Sequence, residues 1–75
     1  MKLGNHLRKL RFERDEMSQQ ALADLIDVTR MTIYSIEKGK YIPSTVLALK
    51  IAQVFERSVE EIFFLHDEND IKKGE

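Results

Sequence analysis

The sequence has no cysteine and no tryptophan, a single proline and only three glycines in 75 residues. Without cysteine there can be no disulfide-stapled mini-protein, no Cys-based zinc finger and no thiol nucleophile. So little proline and glycine argues against a loop-rich or collagen-like chain. No apolar run approaches the ~20 residues that span a bilayer, and the start, Met1 to His6, lacks the apolar stretch of a secretory signal. Apolar residues nevertheless make up 43% of the chain, which suits one small folded domain rather than a disordered segment. The expectation is a cytoplasmic domain with no membrane contact.

Charge of one sign is also missing: the net charge is −1 and the isoelectric point is about 6.1. The sum hides an asymmetry. Residues 1–50 hold nine Lys/Arg against six Asp/Glu (+3), and residues 51–75 hold three against seven (−4). Association with a polyanion depends on a local face rather than on the total, so this arithmetic neither supports nor excludes DNA as a partner.

What is present reads as short helices with short connections, strand signals being weak throughout. Leu3, Leu7, Leu10 and Phe12 keep helical spacing in a first helix over about 4–15. Ser18 stands where an N-cap belongs, before a second helix over 19–26. Thr29 caps a third, about 30–38, which Gly39 ends in a left-handed conformation. Ile42-Pro43 is extended, and Ser44 then opens an apolar core helix over about 45–55. Ser58-Val59-Glu60-Glu61 is a capping box at the start of a short last helix ending near Leu65. The predicted fold is all-α with five helices, a domain over residues 1–66 followed by a polar, flexible tail at 67–75.

The second and third helices carry the function. Two short helices crossing at a steep angle over a tight turn require apolar or small residues at fixed places. Leu22, Ile26, Val28, Ile33 and Ile36 fall inward, and Ala23 lies where the helices touch. On the third helix Ile33 and Ile36 centre the buried face at ~100° per residue. Met31, Ser35 and Lys38 then fall opposite, with Tyr34 on the flank and Arg30 and Thr32 at the helix start. Such a helix can enter a major groove with its N-terminal residues leading.

Five strings, Leu7-Arg8-Lys9-Leu10-Arg11, Met17 to Ala23, Val28 to Ile33, Ile36 to Ser44 and Leu47 to Ala52, make residues 6–65 resemble the phage-repressor/Cro-type helix-turn-helix family of xenobiotic-response-element-like regulators. The resemblance implies a compact lambda-repressor-like domain and double-stranded DNA as partner. It implies that Gln19 holds a phosphate, and that Thr29, Arg30, Met31 and Ser35 face base edges or adjoining phosphates with Thr32 and Tyr34 alongside. Lys38, Lys40 and Tyr41 match the loop that follows the DNA backbone. Arg11 and Glu37 match a structural ion pair.

Three departures from the pattern stand out. Asp27 occupies a turn position usually given to glycine. The connection Arg14-Asp15-Glu16-Met17 is one residue longer than usual. Met31 replaces a common Gln, so a bidentate adenine contact is absent there, and the thioether either packs on a thymine methyl or contributes nothing to the DNA and packs laterally on Tyr34 or the core edge.

His6 and His66 lie at opposite ends with no companion at metal-ligand spacing, and no cofactor or small-molecule ligand is expected. Val59, Ile62 and Phe63 share a face that seals the core, whereas Phe64 and Leu65 point partly elsewhere and either form the candidate homodimer seam or fold back onto the first helix. Two-fold symmetry doubles the contacts of one recognition helix on a palindrome. The reading is a homodimeric repressor on an inverted repeat. The other reading, which the acidic second half favours, is a protein-interaction module on the same scaffold, antitoxin-like or regulator-binding. Nothing in the sequence pairs a nucleophile with a base, so no enzyme is expected.

Overall fold

Each of the four later helices begins at a hydroxyl. In the computed structural model, which describes residues 1–67, Ser18, Thr29, Ser44 and Ser58 all lie in extended backbone and accept from a free N–H at the start of the helix that follows. The chain runs β1 (Lys2–Asn5), α1 (Leu7–Glu13), α2 (Gln19–Leu25), α3 (Arg30–Glu37), α4 (Thr45–Phe55), α5 (Val59–Ile62) and β2 (Phe63–His66). At Ser58 the capping box closes in both directions: Glu61 N–H donates to Ser58 Oγ at 3.2 Å, and Ser58 N–H donates to Glu61 Oε1 at 2.8 Å. These bonds to Ser58, the backbone one first, hold the Glu61 carboxyl below the usual carboxylate range.

The all-α expectation is corrected at both ends. The first helix starts at Leu7 rather than residue 4, and the last stops at Ile62 rather than near Leu65. Residues 2–5 and 63–66 instead form a two-stranded antiparallel sheet, with Leu3 opposite Leu65 and Gly4 opposite Phe64. Phe63 and Phe64 suit a pleated surface, and Gly4 is a poor helix residue, but neither strand can form without the other. Gly4 has a further reason to be glycine. A Cβ there would lie 2.5 Å from the Phe64 ring, which crosses the backbone at that point. The tail read over 67–75 lies, from residue 68 on, outside the described residues.

Leu7, Leu22, Ile33, Ile36, Ile51 and Ile62 are fully buried, so every helix contributes to one core. Each such side chain contributes roughly 2 kcal/mol of transfer free energy. Ala23 has no exposed surface, which lets α2 and α3 meet closely. Phe12, given to the core-facing stripe of the first helix, is instead exposed, with the Arg8 guanidinium 5.6 Å from its ring centre. The apolar run of α4 is buried only in part. Leu47, Ala48, Ile51, Ala52 and Phe55 face inward, while Val46 and Leu49 face solvent.

The connections use left-handed backbone. Gly39 has φ 76° and Asp27 φ 61°, and the long first connection places both Asp15 (φ 57°) and Glu16 (φ 55°) there. Short polar side chains tolerate this region better than most residues. Glu16, and Glu56, which ends α4 at φ 55°, carry longer side chains that lack this advantage.

Candidate nucleic-acid interface

The third helix is anchored from beneath and from one side. Ile33 and Ile36 sink into the core. Glu37, at its C-terminal end, accepts two bonds from Arg11 of α1, Nε to Oε2 at 2.6 Å and Nη2 to Oε1 at 2.9 Å. Both side chains are about nine-tenths buried (10% and 9% exposed). Arg11 also donates from Nη1 to the Met17 carbonyl at 2.7 Å, which pins the connection into α2. A planar guanidinium is the side chain that can make all three bonds at once. Gln19 joins the same cluster, its Nε2 donating to Glu37 Oε1 at 3.1 Å.

Asn5 adds a tie that the sequence reading missed. Its Oδ1 accepts from Leu7 N–H at 3.1 Å, and its Nδ2 donates to the Ile36 carbonyl at 2.9 Å. One side chain thus serves the open start of α1 and the open end of α3. A short polar residue just ahead of a helix was the available signal.

With α3 held this way, its outward residues form two stripes, in which Arg30, Met31 and Lys38 are exposed and Thr32, Tyr34 and Ser35 half-buried. Arg30, Tyr34 and Lys38 edge a groove of about 560 Å³ shared with Asn5, Arg8, Arg11, Phe12, Gln19 and Glu37. Lys38 Nζ lies 5.7 Å from the Tyr34 ring centre. Arg8 is the second residue missed. It stands on α1 one position after buried Leu7, and only the packing of α1 beside α3 brings its charge to this groove. The other stripe, Met31, Thr32 and Ser35, shares a shallow depression of about 210 Å³ with Tyr41.

Thr29 and Thr32 are occupied at the helix start. Thr29 Oγ1 accepts from Thr32 N–H at 3.3 Å, and the two hydroxyls lie 3.0 Å apart. Arg30 is exposed beside Met31, with Nη2 4.0 Å from the thioether sulfur. Lys40 is exposed in the connection after α3, where Lys40 N–H and Tyr41 N–H both donate to the Ser35 carbonyl. The structure brings Gln19, Arg30, Tyr34 and Lys38 to one groove, and Met31, Thr32 and Ser35 to its neighbour.

The terminal residues are placed less simply. Consecutive strand residues face opposite ways, so Phe64 and Leu65 lie on different faces of the sheet. The Phe64 ring packs on His6, with ring centres 4.7 Å apart, and lies 6.0 Å from the His66 ring. The two histidines, distant in sequence, therefore flank one phenylalanine. Among the described residues no cluster of three or more His, Cys, Asp or Glu could hold a metal ion, and no helix is long and apolar enough to cross a membrane.

Two short helices across a tight turn, the second anchored underneath and bared along a polar and cationic flank, define a helix-turn-helix domain. The sequence profile of the helix-turn-helix family, of Cro/C1 type, matches residues 7–62, and the chain belongs to that family. It is a transcriptional regulator with a helix-turn-helix DNA-binding domain.

Its relatives are prokaryotic. The chain is 45% identical, over 89% of its own length and all of the relative's, to the HTH-type transcriptional regulator YgzD of Bacillus subtilis (strain 168). It is 50% identical over 69% of its length to an HTH-type transcriptional regulator of Archaeoglobus fulgidus, covering 74% of that protein. A third relative, control protein C.MunI of a Mycoplasma species, is 37% identical over 97% of this chain and 92% of its own.

Proposed function

We infer that the protein is a homodimeric repressor that reads an inverted repeat by placing α3 in the major groove. The observation that supports this is the anchoring of α3: Ile33, Ile36 and Glu37 fix its roll, so that Arg30 and Met31 lead at its exposed N-terminal end. Arg30 forks onto guanine N7 and O6, and the Met31 thioether packs on a thymine methyl. Thr29, Thr32 and Ser35 reach base edges or the flanking phosphates, with Tyr34 alongside.

Lys38 and Lys40 follow the backbone with Tyr41. Gln19 donates one amide hydrogen to Glu37 and has a second to offer a phosphate oxygen. Arg8, across the same groove, adds a phosphate contact. Repression then needs only occupancy of a site that overlaps a promoter, and β2, with Phe64 and Leu65, supplies self-association.

A random-duplex selection at ~0.1 M salt, run beside Arg30→Ala, tests this reading. Enrichment of an inverted repeat by the wild type, with affinity lowered roughly tenfold to a hundredfold in the variant, is the expected result. Weak binding without enrichment, indifferent to salt and to Arg30→Ala, would instead favour a protein-interaction module on this scaffold.

A further inference from the structure

With no cysteine in the chain, all of its sulfur lies in three methionines. Their surroundings differ. Met17 packs against the core, and its carbonyl accepts from Arg11. Met1, 83% exposed, begins the chain ahead of β1. Met31 is 55% exposed in the first turn of α3, beside Arg30. A thioether is an apolar side chain that mild oxidants convert into a polar, chiral one.

The groups around the Met31 sulfur are donors. Arg30 Nη2 stands 4.0 Å from Sδ, a loose contact, since a thioether is a weak acceptor. The depression beside it is lined by Thr32, Ser35 and Tyr41, each of which carries a hydroxyl. A guanidinium only donates, and a hydroxyl can donate. An oxygen added to Sδ on the side of Arg30 comes within hydrogen-bond reach of Nη2, because the new S–O bond spans part of the 4.0 Å that separates them. Oxidation therefore gives this sulfur a strong acceptor in a place already furnished with donors.

Resting on the reading above that Arg30 and Met31 lead α3 into the major groove, we propose that Met31 is a redox-modification site. Oxygen transfer from a hydroperoxide turns its thioether into a sulfoxide that captures Arg30 and withdraws both residues from the duplex. The step balances. The sulfur lone pair attacks the outer oxygen of the hydroperoxide and the O–O bond breaks. The proton on that oxygen passes to the departing oxygen, which leaves as water or an alcohol. Sulfur gives up two electrons and the peroxide takes them. The sulfoxide then acts twice on the same contact. It replaces the apolar group that packs on a thymine methyl, and it holds the fork that guanine N7 and O6 require.

The test treats the full chain with limiting hydrogen peroxide, locates the added oxygen by peptide mass spectrometry, and checks retained helix by circular dichroism. Met31 should take up oxygen several-fold faster than Met17. The oxidised wild type should bind the duplex enriched in the selection above roughly tenfold to a hundredfold more weakly. Methionine sulfoxide reductase with dithiothreitol should restore it. Met31→Leu, whatever its own affinity, should be indifferent to peroxide. In Arg30→Ala the loss on oxidation should be smaller than in the wild type, because the side chain to be captured is gone. The capture itself is read without DNA. Exchange of the Arg30 guanidinium hydrogens with water, followed by NMR, should slow once Met31 carries its oxygen.

A loss of binding in peroxide-treated Met31→Leu as large as in the wild type would overturn the proposal, since the oxidised atom would then lie elsewhere. So would Arg30 hydrogens that exchange equally fast in both forms, or an oxidised Met31 that leaves duplex binding unchanged. Slowed exchange in a protein that binds no duplex would support the capture while removing the DNA reading.

Discussion

The helix-turn-helix and the terminal sheet solve different problems with different materials. In α2 and α3, order comes from neighbours in sequence: Ser18 and Thr29 cap, and Asp27 turns the chain. One buried ion pair then locks the unit onto α1. The surface it leaves bare is polar and cationic. The sheet instead joins the two ends of the described chain, Lys2 with His66, and together with α4 it leaves a bare aliphatic face. A surface meant for a polyanion keeps its charges in water until counterions are released. The same small core presents a cationic flank and an aliphatic one because α3 and α4 turn different sides outward.

Breaking the lock between α1 and α3 should be the most damaging change. Arg11→Met leaves the Glu37 carboxylate buried without its partner and should cost about 3–5 kcal/mol, measured by urea denaturation. That is a large share of the stability expected of any such domain. The double variant Arg11→Met/Glu37→Leu, which removes both charges, should recover most of the loss. A single variant as stable as wild type would show that the capped helices stand without the pair.

Asn5→Ala tests the one side chain that links the two regions, since it bonds the start of α1 and the end of α3. A loss of about 1–2 kcal/mol is expected. Hydrogen exchange should rise at both helix ends; a rise confined to α1 would show that α3 does not depend on this tie.

Glu56→Gly goes the other way. Removing a side chain from the left-handed end of α4 should raise stability by about 0.5–1 kcal/mol, with DNA binding unchanged.

The smallest effect concerns the last helix, which feeds β2. The Glu61 carboxyl lies below its usual range because of Ser58, so its contribution is present above the unfolded pKa and lost as pH falls through the folded one. The melting temperatures of wild type and Glu61→Gln should therefore converge in acid; a gap that persists there would rule out the capping carboxylate as its cause.

Much of this molecule was legible in residue order alone, because the relevant physics is local. Hydroxyls at Ser18, Thr29, Ser44 and Ser58 mark helix starts, Gly39 and Asp27 mark left-handed turns, and the spacing of Ile33 and Ile36 orients α3. Each of these depends on a few adjacent residues and a fixed helical period. The terminal strands were hidden because a strand's hydrogen bonds belong to its partner, and no pattern within Lys2–Asn5 names Phe63–His66. Asn5 and Arg8 were missed for the same reason, since their roles exist only once α1 lies beside α3. The apolar run of α4 is equally apolar on paper at Val46 and at Leu47. Only packing decided that Leu47 fills the core and Val46 faces outward, because burial is a property of the assembled fold and not of the side chain.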